Sequence, residues 1–584
     1  MSSRSMNNHS AGRVRARLLA GVVAMALAML ALGTAFWRPR PTSAPKPPVP
    51  ASPILLRDVT EHTGITWRHT DGSSGKRYIV ETISAGLATF DYDGDGLVDI
   101  YFVNGAPLRG TNWEGPLPRN ALYRNRGNFQ FEDVTEAAGV GDTGYGLGVT
   151  VGDYDNDGWP DLFVSNYGPK VLYHNNGDGT FRAVSHQAGV DDGYKVGAGA
   201  CFLDIDRDGD LDLYVANYVD FSYETYRPHY AEGRHIYPSP MAYNAVPDVL
   251  FRNNGDGTFT DITCQAGIVE DAAGTGMGMI AADYDNDGDT DIFVLNDVAR
   301  NYLWENDGTG KFREVSIERG LAFDAHGRYL ASMGVDCADY NNDGWLDFFQ
   351  TSYSDQQPAL YHNTGLGFFE EVAPQAIPGG SLLPYINWGT HFADFDNDGR
   401  VDLFVANGNT QDNLGKYSSR ESYEAPNTVL RNVGGKFVDI SASCGDGLAP
   451  RYSSRGSGAD DLDNDGRVDL VVLNARSRPT LIRNESPGGH HWIEIELRGT
   501  RASRDAVGSH VYVHAGGLTQ LREVHSGRSY QGHCGSRLHF GIGQATRIES
   551  IEVRWLGGKV ERFTDLPADQ RLLIVEGGPP NPQP

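Results

Sequence analysis

The chain has 584 residues, 76 of them acidic and 49 basic, for a formal net charge of −27. That excludes a protein that tracks nucleic-acid phosphates, because such binding needs a cationic face. Glycine numbers 72 residues, about 12% against a usual ~7%, and together with the aspartate excess it points to many tight turns.

Arg13, Arg15 and Arg17 precede an uncharged stretch from Leu18 to Trp37, followed by Arg38-Pro39-Arg40 and a Pro/Ser/Ala-rich run to about Pro53. Twenty apolar residues at a helical rise of 1.5 Å span a ~30 Å hydrocarbon core, and Gly33 and Ala35 offer small residues for cleavage. Residues 1–40 therefore read as an export signal or a membrane anchor at 18–37, and 41–53 as a proline-rich linker. Arginines ahead of the apolar segment place the body outside the cytoplasm in either case.

Beyond the linker, the pattern D-x-D-x-D-G-x-x-D occurs seven times at spacings from 51 to 79 residues. Its acidic positions are Asp91, Asp93, Asp95 and Asp99; Asp153, Asp155, Asp157 and Asp161; Asp204, Asp206, Asp208 and Asp212; and Asp283, Asp285, Asp287 and Asp291. The last three units supply Asp339, Asn341, Asp343 and Asp347; Asp394, Asp396, Asp398 and Asp402; and Asp461, Asp463, Asp465 and Asp469. Alternate carboxylates around a glycine turn can converge on a hard cation, and oxygen-only ligation favours Ca²⁺ over Zn²⁺. Up to seven structural Ca²⁺ are expected, held by positions 1, 3, 5 and 9 and by a carbonyl at 7, with the Asn341 loop weakest because it lacks one charge.

Each first Asp follows, five residues on, a glycine: Gly86, Gly148, Gly199, Gly278, Gly334, Gly389 or Gly456. Each last Asp precedes by five an asparagine (Asn104, Asn166, Asn217, Asn296, Asn407, Asn474), with Ser352 the exception, and the apolar run between is of strand length. A second hairpin follows around N-G-D-G, as in Leu172–Phe181 and Leu250–Phe259. Four strands per ~60-residue unit, seven times over, describe an all-β, seven-bladed β-propeller over 54–487. The glycines fit an innermost strand where blades crowd the axis. The seventh unit lacks its last strand, and Leu56-Arg57-Asp58-Val59-Thr60 at the front of the array matches Phe131-Glu132-Asp133-Val134-Thr135, so the N-terminal strand is expected to close the ring.

Residues 488–577 read as a small C-terminal β-domain with strands near 492–497, 510–514, 521–525, 538–541, 548–555 and 572–576, and 578–584 as a disordered tail. Its histidines (His490, His491, His510, His514, His525, His533, His539) show no partner carboxylate at recognisable spacing and read as surface or satisfied core residues. Cys201, Cys264, Cys337, Cys444 and Cys534 form no CxxC and read as small buried apolar residues.

The repeated D-x-D-x-D-G-x-x-D with N-x-G-D-G-T-F and F-x-D-V-T-x-x-A-G resembles the FG-GAP/VCBS repeats of integrin-α-like propellers. His491-Trp492-Ile493, the stretch Gly499–Gly508, Gln520–Val524, Leu538–Gly543 and Val553–Gly558 resemble the ASPIC/UnbV domain, although Ala506, Val507 and Ser509 depart from its usual S-N-R-x-x-I-G-A. The combination is similar to the cartilage acidic protein family and its bacterial relatives. That resemblance implies an extracellular calcium-binding propeller used in adhesion or matrix contact, with no established catalytic residue.

The acidic loops and the N-G-D-G turns share one face of a propeller. The other face receives the longest insertions, 219–247 and 408–427, the first carrying Tyr223, Tyr226, Tyr230, Tyr237, Tyr243, His229 and His235. Such a set suits a protein or glycan surface, or forms a lid over the mouth. Two functions stay open: a noncatalytic binding or adhesion module, or a glycan-active enzyme with its site on the same face. A pocket joining acidic groups outside the loops to residues of 219–247 would favour the enzyme, and a flat aromatic surface would favour binding.

Overall fold

The structure is a computed structural model that describes residues 52–583 except 192, 270–273, 415–421 and 536. The expected signal or anchor, and residues 41–51 of the expected linker, lie outside the described residues. Among those described, no helix is long and apolar enough to cross a membrane.

Every repeat folds as four antiparallel strands. In the second blade these are Tyr145–Gly152, Asp161–Gly168, Val171–Asn175 and Phe181–Ala183. The two inner strands are buried on both faces, so they read as runs of small and apolar residues without alternation, whereas the short outer strand exposes Arg182 and Ala183. Among the described residues seven such four-stranded units are present, with blades two and three also joined through Lys195↔Gly168 and Val196↔Tyr167.

Closure follows the expected route. Leu56, Arg57 and Asp58 pair with Asn484, Arg483 and Ile482, giving the seventh blade its fourth strand from the front of the chain. The ring is tight at its axis: a Cβ added at Gly334 would meet the Trp388 carbonyl at 2.2 Å, and one at Gly86 would meet the Gln531 carbonyl at 1.6 Å.

Gln531 belongs to the C-terminal domain. That domain is two four-stranded sheets, one containing the parallel pair His491–Arg498 and Gln570–Val575, packed through Ile493, Ile495, Val511, Val513, Phe540, Ile551 and Ile574. Between the strands Leu518–Glu523 and Leu538–Gly543 the chain leaves the sandwich and plugs the propeller's axial channel. Val149 N–H donates to Gln531 O (3.1 Å), Thr89 N–H to His533 O (3.0 Å), and Val335 and Ser529 exchange two backbone bonds (3.0 and 2.7 Å). The plug thus satisfies inner-strand groups that face the channel.

Two readings need correction. The described part of the expected disordered tail is not irregular: Pro580–Gln583 is an edge strand on Gln570–Val575. Proline at alternate positions 580 and 582 leaves the other N–H groups free to pair, which an edge strand permits. Among the cysteines, Cys264 is exposed while the other four are buried and unpaired.

Candidate metal loops and the two faces of the propeller

The loops bring their predicted ligands together. Oxygens of Asp91, Asp93 and Asp99 lie within 4.8 Å of one another, as do those of Asp153, Asp155 and Asp157, of Asp204, Asp206 and Asp212, and of Asp283, Asp285 and Asp291. One local pattern shapes the turn. The first Asp accepts the N–H groups of positions 5 and 6, as Asp153 does from Asp157 (3.0 Å) and Gly158 (2.8 Å) and Asp394 from Asp398 (3.0 Å) and Gly399 (2.8 Å). The last Asp anchors the turn to the third strand by accepting Asn125 N–H at Asp99 (2.6 Å), Asn175 at Asp161 (2.8 Å) or Asn363 at Asp347 (2.8 Å).

What the protein leaves unsatisfied is position 3. Asp93, Asp285, Asp396 and Asp463 each keep a buried Oδ1 without a hydrogen-bond partner, and so do Asp204 Oδ1 and Asp291 Oδ2. A buried carboxylate oxygen facing other carboxylates is costly unless a cation answers it. Without one, burial and then Asp505 push Asp153 up to about 8, and burial pushes Asp161, Asp204 and Asp283 up to about 7. The carboxylate donors are hard oxygens, which fits Ca²⁺, although in the second loop the His174 imidazole also lies within 4.8 Å of Asp155 and Asp161 oxygens. At Asn341 the amide nitrogen donates to Asp343 (2.9 Å), so that loop offers a different surface.

Motif spacing did not single out the residue that faces each loop from the third strand, immediately before its terminal asparagine. It is Arg124, His174, Arg252, Glu305, His362, Arg431 or Arg483. Arg124 pairs with Asp93 (2.7 Å) and Asp95 (3.0 Å), and Arg431 with Asp396 (2.8 Å) and Asp398 (3.1 Å). His174 Nδ1 lies 3.1 Å from Asp155, and His362 Nδ1 lies 3.0 Å from Asp347. The signal was present as L-Y-R/H-N in three units and looser forms in the others, but its target is reached only through strand pairing.

The C-terminal domain covers this face. Asp153 N–H donates to Asp505 (2.6 Å), Asp283 N–H to Glu523 (3.2 Å), and Arg537 to Gly96 O (2.9 Å). His510 pairs with Glu523 (3.1 Å), His525 with Ala281 O (3.0 Å) and His539 Nε2 with Gly466 O (3.1 Å), but His533 Nε2 and His539 Nδ1 are buried without a hydrogen-bond partner among the described residues, so the histidines are not all satisfied. Burial opposes charge on His510, yet Glu523 and Asp283 raise it above the ordinary histidine value. Glu523 is the partner carboxylate whose spacing the sequence did not reveal.

On the opposite face, the 219–247 insertion forms a hairpin, His229–Ala231 with Arg234–Ile236, and a short helical turn at Pro240–Ala242. Its aromatics turn inward. Tyr223 and Tyr226 pack on Tyr78 at 5.2 and 4.8 Å, and Tyr237, buried, donates to Glu81 (3.0 Å) and accepts from Arg476 (2.9 Å). Tyr230 is exposed and stacks on His235. The insertion is therefore a lid with a packed interior rather than a flat aromatic surface. Beside it opens an axial pocket of about 520 Å³, with Tyr237 on its wall and Asp297 as its carboxylate. The ring asparagines at this end cap turns: Asn166 donates to Pro169 O (2.8 Å), Asn217 to Pro247 O (2.9 Å) and Asn407 to Pro426 O (2.9 Å).

The FG-GAP-like repeat family matches residues 91–164, 153–215, 241–294, 283–350 and 339–405, and the ASPIC and UnbV family matches 499–581. Among curated proteins, cartilage acidic protein 1 of Mus musculus is 26% identical over 481 residues, 71% of each chain. That of Xenopus tropicalis is 25% identical over 523 residues, covering 84% of this chain and 73% of its own. A solved structure, BBS1N in complex with ARL6DN, aligns with a TM-score of 0.40 at 10% identity, over 75% of this chain and 98% of that one.

Proposed function

Since the chain carries FG-GAP-like repeats ahead of an ASPIC and UnbV domain and is homologous to cartilage acidic protein 1, we propose that it is an exported calcium-binding propeller. It acts as a noncatalytic binding or adhesion module for a protein or glycan partner. The observation that carries the calcium reading is the set of orphaned position-3 oxygens, Asp93, Asp285, Asp396 and Asp463. Bound Ca²⁺ would answer the oxygens that Arg124, Arg431 and Arg483 leave over when they pair with the other oxygen of Asp93, Asp396 and Asp463. The turn itself is made by this chain's own bonds from positions 5 and 6 to the first Asp, so the loop is preshaped for the ion. At free Ca²⁺ ten times Kd each site adds about 1.4 kcal/mol, and seven add roughly 10 kcal/mol.

Export rests on the arginine cluster and the apolar run 18–37. The partner face is the insertion face, because the C-terminal domain covers the other. The insertion face is not the flat aromatic surface that would favour binding, and the axial pocket does join Tyr237 to an acidic group, but among the described residues its lining holds one carboxylate, Asp297, where a glycan hydrolase sets two across its substrate. EDTA is expected to lower the melting temperature and Ca²⁺ to restore it, and an unchanged melt would sink the calcium reading. A glycan and protein-ligand screen of the calcium-loaded chain tests the partner, with loss of binding on substitution of exposed Tyr230 placing it on the insertion face.

A further inference from the structure

The axial pocket lies where the plug ends. Tyr530, the tip of the plug, donates to Ile83 O (2.6 Å) and packs edge-on against Trp388 at 5.0 Å. Trp388, Ile83, Met277 and Met333 form an apolar floor, each at most 2% exposed. A volume of about 520 Å³ falls in the range of small-molecule sites, which combine an apolar lining with a few polar groups.

The polar groups of the wall differ in what they have left to offer. Gln356 Oε1 accepts from Ala331 N–H (3.0 Å) and Ser352 (2.8 Å), Asn413 donates to His235 O (3.0 Å), Gln411 accepts from Tyr237 N–H (3.2 Å), and Thr410 meets Tyr353 (3.2 Å). The bonds from Asn413 and Gln411 hold the lid, and the others engage the wall with itself. Asp297 stands apart: Oδ2 accepts the Tyr218 hydroxyl at 2.7 Å, and among the described residues Oδ1 has no hydrogen-bond partner. The guanidinium on the wall, Arg234, pairs with Glu232 (2.6 Å). Burial, opposed by the Tyr218 bond, pushes the Asp297 carboxyl up to about 6, with no cation among the described residues contributing, so at neutral pH it remains mostly ionised. Val298, its neighbour, is held at φ +59, a left-handed conformation that a β-branched residue rarely adopts, and such strain concentrates at ligand sites.

We propose that this pocket binds a small organic cation, an ammonium group on an apolar stem, with Asp297 as its counter-ion and the Met277, Met333 and Trp388 floor receiving the stem. The proposal rests on the insertion face being the binding face. It is tested with three probes of one shape and different heads: 2-phenylethylamine, 2-phenylethanol and 3-phenylpropanoate, titrated calorimetrically into the full calcium-loaded chain. The amine is expected to bind at least tenfold more tightly than the alcohol and the acid not at all. Asp297→Asn should erase the preference for the amine, and Thr410→Trp, at the mouth, should remove binding of every probe with a native melt. The wild-type ranking decides the charge without any variant, so a poorly folding Asp297→Asn does not protect the idea. Equal binding of amine and acid, no binding of the amine, or amine binding untouched by Thr410→Trp would overturn it. A partner screen that stays positive alongside any of these results leaves the face-level reading standing, and the two failures are separable.

Discussion

The asparagine closing each third strand holds the ring together. Asn253 donates Nδ2 to Tyr154 O of the preceding blade (2.7 Å) and to Leu211 O (3.0 Å), while its own N–H goes to Asp212 (2.8 Å). The bond recurs at Asn175 to Tyr92 O (2.9 Å) and Asn484 to Phe395 O (3.0 Å), and across the seam at Asn125 to Leu462 O (2.8 Å). Asn253→Ala leaves buried carbonyls unpaired and is expected to cost about 1–3 kcal/mol, seen as a lower melting temperature in Ca²⁺ and in EDTA alike. A loss confined to one condition would mean that the residue serves the loop rather than the blade junction. In the sequence this asparagine is visible as the first residue of a turn, but its acceptor lies in another repeat and no local pattern names it.

At the level of elements, the acidic loop and the closing strand make opposite demands. Aspartates whose folded-state pKa is raised favour the fold when protonated, so their contribution is lost as pH rises through that value. With Asp153 at about 8 and Asp161, Asp204 and Asp283 at about 7, metal-free protein should melt at higher temperature as pH falls from 8 to 6.5. Ca²⁺ should abolish or reverse that trend, because protons then compete with the ion. Below 6.5 the buried neutral histidines act the other way: burial holds His69, His391 and His539 down at about 4, and the unfolded chain takes their protons first. Melts in EDTA that are flat or falling over 8 to 6.5 would contradict the loop electrostatics. The strand Leu56–Asp58 contributes no ligand, yet it covers the edge Thr480–Asn484. Deleting residues 54–66 should prevent stable folding, and a cooperative native-like melt of that variant would refute closure by this strand. Here the sequence was sufficient, because the displaced strand Leu56-Arg57-Asp58-Val59-Thr60 repeats the pattern of Phe131-Glu132-Asp133-Val134-Thr135 in the first blade.

For the whole molecule, the plug makes one body of two domains. Arg528 reaches from the plug to Asp336 on the inner strand of blade five at 2.5 Å, with Asp336 fully buried. Arg528→Ala leaves that carboxylate uncompensated, at an expected cost of about 3–5 kcal/mol. Earlier melting and faster proteolysis within 524–537 would register it, and wild-type behaviour would show the plug to be held by backbone bonds alone. The charge of −27 also takes its place at this scale. The seven loops hold 7 × 4 − 1 = 27 ligand-position aspartates, Asn341 being the subtraction, and the C-terminal domain adds Asp505 and Glu523 against them. By itself the sequence determined the all-β class, the seven repeats, the convergent carboxylates and the strand that closes the ring, because each is written in spacings within one repeat or in a motif displaced intact. Only the tertiary structure decided that the C-terminal domain caps the acidic face and fills the channel, that the tyrosine-rich insertion packs inward, and that Asp297 stands in an axial pocket without a cation among the described residues. Those features arise between segments far apart in the chain, where shape and the pairing of buried polar groups choose the partner and no periodicity records it.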